Sequence, residues 1–162
     1  IAQFYPFDSN YGAALRFTNG ENDGETKHDY PLHQMDCINS IVTGYADDVV
    51  MGVVNDSTVA YNYRFINSIL RTDTVSDKEN IQNVIWENAD SVDIDTVSGG
   101  EKNFRLVDSK KQHYDFHLRS ASRAIGAAST ESGYLMPLDR DGRRRDDEPD
   151  MGCYEFYEEG KE

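Results

Sequence analysis

The tetrapeptide Ile38-Asn39-Ser40-Ile41 returns unchanged as Ile66-Asn67-Ser68-Ile69, 28 residues further along the chain. Around it, "CINSIVTG" (37–44) and "FINSILRT" (65–72) share one pattern, in which an Asn-Ser pair interrupts apolar, β-branched residues. A repeated unit of this kind must put its Asn in equivalent surroundings each time, and few folds allow that. Weaker relatives extend the series. "LRFTNG" (15–20) aligns Gly20 with Gly44 at an offset of 24, and "NVIWEN" (83–88), "NFRLVD" (103–108) and "YDFHLR" (114–119) follow. Each is a short β-branched and aromatic run followed by polar residues, the signature of a strand and its turn. "SDKENIQNVIWENA" (76–89) is the best amphipathic-helix candidate and ranks below strand.

Short strands at irregular spacing fit two all-β architectures, a sandwich and a parallel β-helix. In a sandwich, an Asn recurring beside a buried Ile has no role. In a β-helix every coil turns at the same place. There Asn39 and Asn67 can adopt the left-handed conformation and hydrogen-bond the next coil, with stacked copies forming a ladder. The expected fold is therefore an all-β, right-handed parallel β-helix of few coils with a C-terminal cap. Coils with loop insertions span 1–119; cap and tail span 120–162. Ten Tyr, seven Phe and one Trp supply enough large side chains for such a core.

Alternation in "YDFHLR" turns Tyr114, Phe116 and Leu118 to the core and Asp115, His117 and Arg119 away from it. The small residues of "SASRAIGAAS", with Ala124, Ile125 and Gly126 at their centre, can then close the open end of the stack, which otherwise invites aggregation. "MGCYEF" reads as a last short strand, and "YEEGKE" as a frayed tail.

"YDFHLRSASRAIGAAS" followed by "PLDRDGRRRDDEPDMGCYEF" resembles the C-terminal end of secreted bacterial right-handed parallel β-helix proteins, often surface proteins or lipoproteins. The resemblance rests on Tyr114, Asp115, Phe116, Leu118, Ser122, Ala124, Ile125 and Gly126, then on Asp139, Asp141, Gly142, Arg145, Asp150, Gly152, Tyr154 and Glu155. Arg123 stands where that pattern has Pro. The resemblance implies the pectin-lyase-like superfold and a secreted or bacterial cell-surface location. It does not imply lyase activity, because one fold hosts many functions. Such proteins carry more coils, and the chain opens on "IAQFYPFD" without Met or signal peptide, so it reads as a mature product or an excised C-terminal portion.

The formal charge of -14 repels phosphate backbones and anionic lipid, which disfavours nucleic-acid and membrane-surface partners. No apolar run reaches the ~18 residues of a membrane helix. Cys37 and Cys153 are either two separate thiols or a pair that the fold must bring together.

Candidate chemistry is sparse. Asp47 and Asp48 are the one adjacent carboxylate pair in a coil, but neighbours on a strand face opposite ways, against a shared glycosidase site. Arg64 and Arg71 flank the second repeat, where lyase chemistry needs a cationic base, yet no partner motif completes them. Asp139 and Asp141 with Gly142 match a fragment of a calcium loop, so calcium is the one cofactor in view and none is required. The interleaved arginines of "DRDGRRRDDEPD" read instead as salt bridges fastening a cap. His113 and His117 lie four apart, ~13 Å on a strand and too far for one metal. The tyrosines are the better lead: Tyr5, Tyr11, Tyr30, Tyr45, Tyr61 and Tyr63 lie in or beside the repeats. Tyr45, Tyr61 and Tyr63 are the ligand-binding candidates, since such rings stack on sugar faces. The sequence thus points to a non-catalytic surface or secreted β-helix protein that binds a polysaccharide or a surface partner. A polysaccharide lyase or glycoside hydrolase with its catalytic coils partly upstream is the alternative, and a structural spacer without ligand is a third.

Overall fold

The computed structural model describes residues 1–4, 13–46, 48–87, 101–131 and 136–158. The protein is all-β: no α-helix occurs among the described residues, and one 3-10 turn covers Glu101–Asn103. In chain order the strands are β1 (Ala2–Gln3), β2 (Leu15–Thr18), β3 (Gly20–Asn22), β4 (Lys27–Asp29), β5 (Asp36–Ile38), β6 (Ile41–Gly44), β7 (Val50–Val53), β8 (Arg64–Ile66), β9 (Ile69–Leu70), β10 (Ile81–Gln82), β11 (Ile85–Trp86), β12 (Phe104–Asp108) and β13 (His113–Leu118). No described helix is long and apolar enough to cross a membrane.

The repeat becomes stacked parallel strands. One short sheet runs β5, β8, β10, and a second runs β1, β6, β9, β11. Register follows the sequence repeat: Cys37 pairs with Phe65 and Ile41 with Ile69. Each chain passage enters the first sheet, bends at an Asn and leaves in the second. The bend needs a left-handed residue, and Asn39, Asn67 and Asn83 have φ of 51°, 46° and 52°. Asn tolerates this region because its short polar side chain bonds locally. Asn83 was not singled out from sequence, because its neighbours Gln82 and Val84 break the Ile-Asn-Ser-Ile pattern.

Three expectations need correction. Asn39 and Asn67 do not bond each other's coils through their side chains. Asn39 Nδ2 donates to Ser129 O at 2.9 Å and its Oδ1 accepts from Ser129 N at 2.7 Å, while Asn67 Nδ2 donates to Ala127 O at 3.1 Å. The 127–129 segment runs past the corners and takes the place of a ladder. Second, β12 and β13 pair antiparallel as a hairpin, so "YDFHLR" is not a parallel rung. Third, Met151–Phe156 form no strand. "LRFTNG" does become a strand, β2, but it pairs in parallel with β7 rather than stacking on residues 37–44.

Alternation sends successive residues of the second sheet to opposite faces, and both faces are covered. Ile41 and Ile69 join Phe4, Phe104, Leu118, Ala124 and Met151 in one core cluster. Val42 and Leu70 join Val49 and Phe65 in the other. Tyr114 and Phe116 pack at the edge of the first cluster, as their alternation required, and Ile125 joins them there. The hairpin and the C-terminal segment thus cover one side of the sheet. Cys37 and Cys153 are both free thiols.

Candidate functional site

The alternation Tyr61-Asn62-Tyr63-Arg64-Phe65 places three aromatic rings on one side of the chain entering β8. Opposite them stands Phe17 of β2. Its ring stacks on Tyr61 at 5.6 Å between centroids and 15° between planes, and meets Tyr63 at 5.3 Å. Tyr61 and Tyr63 meet edge to face at 5.5 Å. Phe17 pairs across the β2–β7 ladder with Gly52. A Cβ at position 52 would lie 2.5 Å from Tyr61 Oη and 2.7 Å from Phe17 Cζ, so the stack requires glycine there.

These rings wall a groove of about 280 Å³, floored by Leu70 and Trp86 and rimmed by Val54 and Val75. Both valines are exposed, at 54% and 51%. Among the described residues, no carboxylate, arginine, lysine or histidine lines it. Tyr63 Oη donates to Asp77 Oδ2 at 2.7 Å, and Asp77 also accepts from Asn80 Nδ2 at 3.0 Å. Burial, then the Asp77 contact, pushes the Tyr63 hydroxyl up to about 12. The hydrogen bonds from Asn80 and Tyr63 keep Asp77 below the usual carboxylate range. Tyr63 is thus a neutral, oriented donor at working pH. Such a groove can hold a flat, uncharged ligand against its apolar walls.

No family model, no curated protein and no solved structure matches the chain.

The other candidates are dispersed. Tyr45 lies in the opposite cluster, edge-on to Phe4 at 5.0 Å, with its hydroxyl donating to Ser109 Oγ at 3.0 Å. It does not share a platform with Tyr61 and Tyr63. Tyr30 is exposed and stacks on His28. Tyr5, Tyr11 and Asp47 lie outside the described residues. Asp48 accepts from Thr72 Oγ1 at 2.6 Å. Arg64 makes a bidentate pair with Asp36, at 2.8 and 2.7 Å. Arg71 is buried, its Nε donating to Ala46 O at 2.7 Å. The two arginines therefore serve different partners and form no common basic site.

Asp139 and Asp141 are also committed. Asp139 accepts backbone N–H groups from Asp141, Arg143 and Glu155 at 2.9, 2.8 and 3.1 Å. Asp141 meets His117 Nε2 at 2.8 Å. Their oxygens face N–H groups, the wrong arrangement for calcium, which needs six to eight oxygen ligands around one point. Among the described residues no group of three or more His, Cys, Asp or Glu could hold a metal ion.

Sequence reasoning named Tyr61 and Tyr63 but missed Phe17 and Gly52, which the β2–β7 pairing brings together, and Trp86, which the β9–β11 pairing sets opposite Leu70. It also missed Glu87. This carboxylate is buried, accepting from Thr43 Oγ1 at 2.8 Å and Asn103 Nδ2 at 2.5 Å. Ser122 Oγ donates to Asn103 Oδ1 at 3.0 Å, which extends the network to the C-terminal segment. Burial raises the Glu87 carboxyl against the pull of these donors. At 5% exposure it is a tie between sheet, 3-10 turn and C-terminal segment, closed off from solvent.

Proposed function

We propose that the parallel strands are coils of a short right-handed parallel β-helix, closed by residues 120–158, and that the chain is a non-catalytic secreted or cell-surface protein that binds a neutral polysaccharide. The β-helix reading is supported by three Asn corners of like φ and by the two in-register parallel sheets they join. The binding reading is carried by one observation, the open Phe17–Tyr61–Tyr63 groove. Rings with polar tips stack on sugar faces while their hydroxyls bond sugar hydroxyls. The described lining carries no carboxylate and no basic side chain, which favours a neutral polymer over a uronic-acid one and argues against lyase or hydrolase chemistry there.

The test is a panel of neutral and acidic polysaccharides, with and without calcium, scored together for retention and for new chain ends. Retention of neutral polymers without cleavage and without calcium dependence is expected. Tyr61→Ala should weaken retention by about tenfold, the equivalent of ~1.4 kcal/mol. New chain ends would overturn the non-catalytic reading, and retention unchanged in Tyr61→Ala and Tyr63→Ala would remove the groove from it.

A further inference from the structure

Four polar side chains from separate parts of the fold meet in the interior around Glu87. Thr43 lies on β6, Glu87 just past β11, Asn103 at the end of the 3-10 turn and Ser122 in the C-terminal segment, and all four are buried. Glu87 Oε2 accepts from Thr43 Oγ1 at 2.8 Å, and Glu87 Oε1 accepts from Asn103 Nδ2 at 2.5 Å. The far end of the amide is held too, since Asn103 Oδ1 accepts from Ser122 Oγ at 3.0 Å. One carboxylate thus holds a hydroxyl on one oxygen and an amide nitrogen on the other. None of the four residues lines the aromatic groove.

These are the parts of an acyl transfer. A hydroxyl becomes a nucleophile when an adjacent base takes its proton, and Glu87 touches the Thr43 hydroxyl. An amide accepts attack when a donor faces its oxygen and a proton can reach its nitrogen. Ser122 faces the oxygen, and Glu87 faces the nitrogen. Burial raises the Glu87 carboxyl, so its ionised form is a stronger base than an exposed carboxylate. Burial also keeps water from competing for the acyl carbon. Backbone bonds hold the parts in place. Glu87 N donates to Leu70 O at 2.9 Å, Arg119 N to Asn103 O at 3.1 Å, and Ala124 N to Ser122 Oγ at 3.2 Å. Groups fixed in contact can react as if at about 10⁵ M or more, which offsets a weak nucleophile and a poor leaving group.

We infer that the folded chain joins Thr43 to Asn103 by an intramolecular ester, with Glu87 as the proton carrier. Thr43 Oγ1 attacks Asn103 Cγ, and the new C–O bond replaces the Cγ–Nδ2 bond. The hydroxyl proton passes through the Glu87 carboxyl to the nitrogen, which leaves as ammonia, and Glu87 returns to its carboxylate form. Hydroxyl plus amide gives ester plus ammonia, so the balance needs no further reactant. Ser122 holds the amide oxygen while it carries negative charge. The ester ties β6 of the second sheet to the turn that opens the β12–β13 hairpin. Cys37 and Cys153 are free thiols, so this would be a cross-link that reduction does not open.

The test is the intact mass of the full chain, folded, then denatured and reduced, followed by a protease map. The mass should fall short of the sequence mass by one ammonia, and the map should join the peptide holding Thr43 to the peptide holding Asn103. Mild alkali should split that joined pair, because an ester hydrolyses where an amide does not. Thr43→Val keeps the side-chain shape without the nucleophile and should show the full mass, while Thr43→Ser should restore the link. Ser122→Ala should form it at least tenfold more slowly. The full sequence mass in the wild type overturns the inference. So does a deficit that persists in Thr43→Val, or one that the map places elsewhere, as cyclisation of Asn19 onto Gly20 would.

Discussion

The stacked rungs and the segment from residue 120 onward solve the same problem by different chemistry. In both, buried backbone N–H groups need acceptors. In the rungs the acceptors are carbonyls of the neighbouring strand, and the side chains are free to be apolar. In the C-terminal segment carboxylates share that role with scattered carbonyls. Asp139 takes three N–H groups, Asp150 accepts from Gly126 N at 2.7 Å and from Phe156 N at 2.5 Å, and Glu155 accepts from Asp146 N and Asp150 N. Arg145 neutralises the group, pairing with Glu155 at 2.8 Å and donating to the Asp150 and Gly152 carbonyls. Four buried charges thus hold an irregular loop where a strand would otherwise be required. The lesson is that an irregular segment with little strand pairing can be held if its carboxylates share the acceptor role, at the expense of making it dependent on charge balance.

The largest expected effect separates these regions directly. Arg145→Met leaves Glu155, 2% exposed, as an unpaired buried charge. It should cost about 3–5 kcal/mol in urea unfolding. Ile69→Ala opens a cavity at a fully buried rung position and should cost a similar ~2–5 kcal/mol. The two should differ in their response to pH. The Arg145 variant should recover as acid neutralises Glu155, whose carboxyl burial has already raised, while the Ile69 variant should not. Equal pH profiles would erase the distinction.

A corner substitution comes next. Asn67→Ala puts a Cβ-bearing residue without a local bond at φ 46° and removes the tie to Ala127. The expected loss is about 1–3 kcal/mol, from left-handed strain and one hydrogen bond. Asn67→Gly keeps the turn and should lose less, which thermal unfolding of the pair can rank.

His117 joins the hairpin to the cap, its ring held between Asp115 at 2.6 Å and Asp141 at 2.8 Å and stacked on Tyr154 at 4.0 Å. Burial pulls its pKa down, but the Asp141 and Asp115 carboxylates outweigh this and raise it above 6.5. The protonated form is therefore favoured by folding. Its stabilisation is complete below pH 6.5 and is lost as pH rises through the folded-state value. Stability of the wild type relative to His117→Gln should fall across that window, and a flat difference would show that the ring is held by stacking alone.

The smallest effect belongs to a surface pair on the rungs. The Arg64 guanidinium beside Asp36, helped by Gln34, holds that carboxyl down to about 2. The stabilisation is present above 3.8 and fades as pH falls toward 2. Arg64 is 45% exposed, so solvent screening limits the pair, and Arg64→Met should cost under ~1 kcal/mol in the same urea assay.

The contrast also explains what the sequence revealed. Ile38-Asn39-Ser40-Ile41 and its copy disclosed the parallel register, because backbone pairing imposes a repeat. Asn83 escaped because conformation, not side-chain pattern, is what its corner preserves. The C-terminal segment disclosed its charges but not their partners: which acid Arg145 meets depends on how the loop closes, and no period encodes that. At the groove, Tyr61 and Tyr63 stood out as tyrosines beside the second repeat, whereas Phe17 and Gly52 come from a distant pairing. Asn39 and Asn67 take the left-handed turn expected of them, yet their amides bond a segment 90 and 60 residues away, which no local pattern announces.

The most direct test is residue-resolved native-state hydrogen exchange of the wild type and Arg145→Met. A charge-held C-terminal segment and backbone-paired rungs predict that Gly126, Asp146, Asp150 and Phe156 amides lose protection in the variant while Phe65 and Leu70 keep theirs. Uniform loss at all six amides, or no loss at the cap, would contradict the division of the molecule into two regions held by different chemistry.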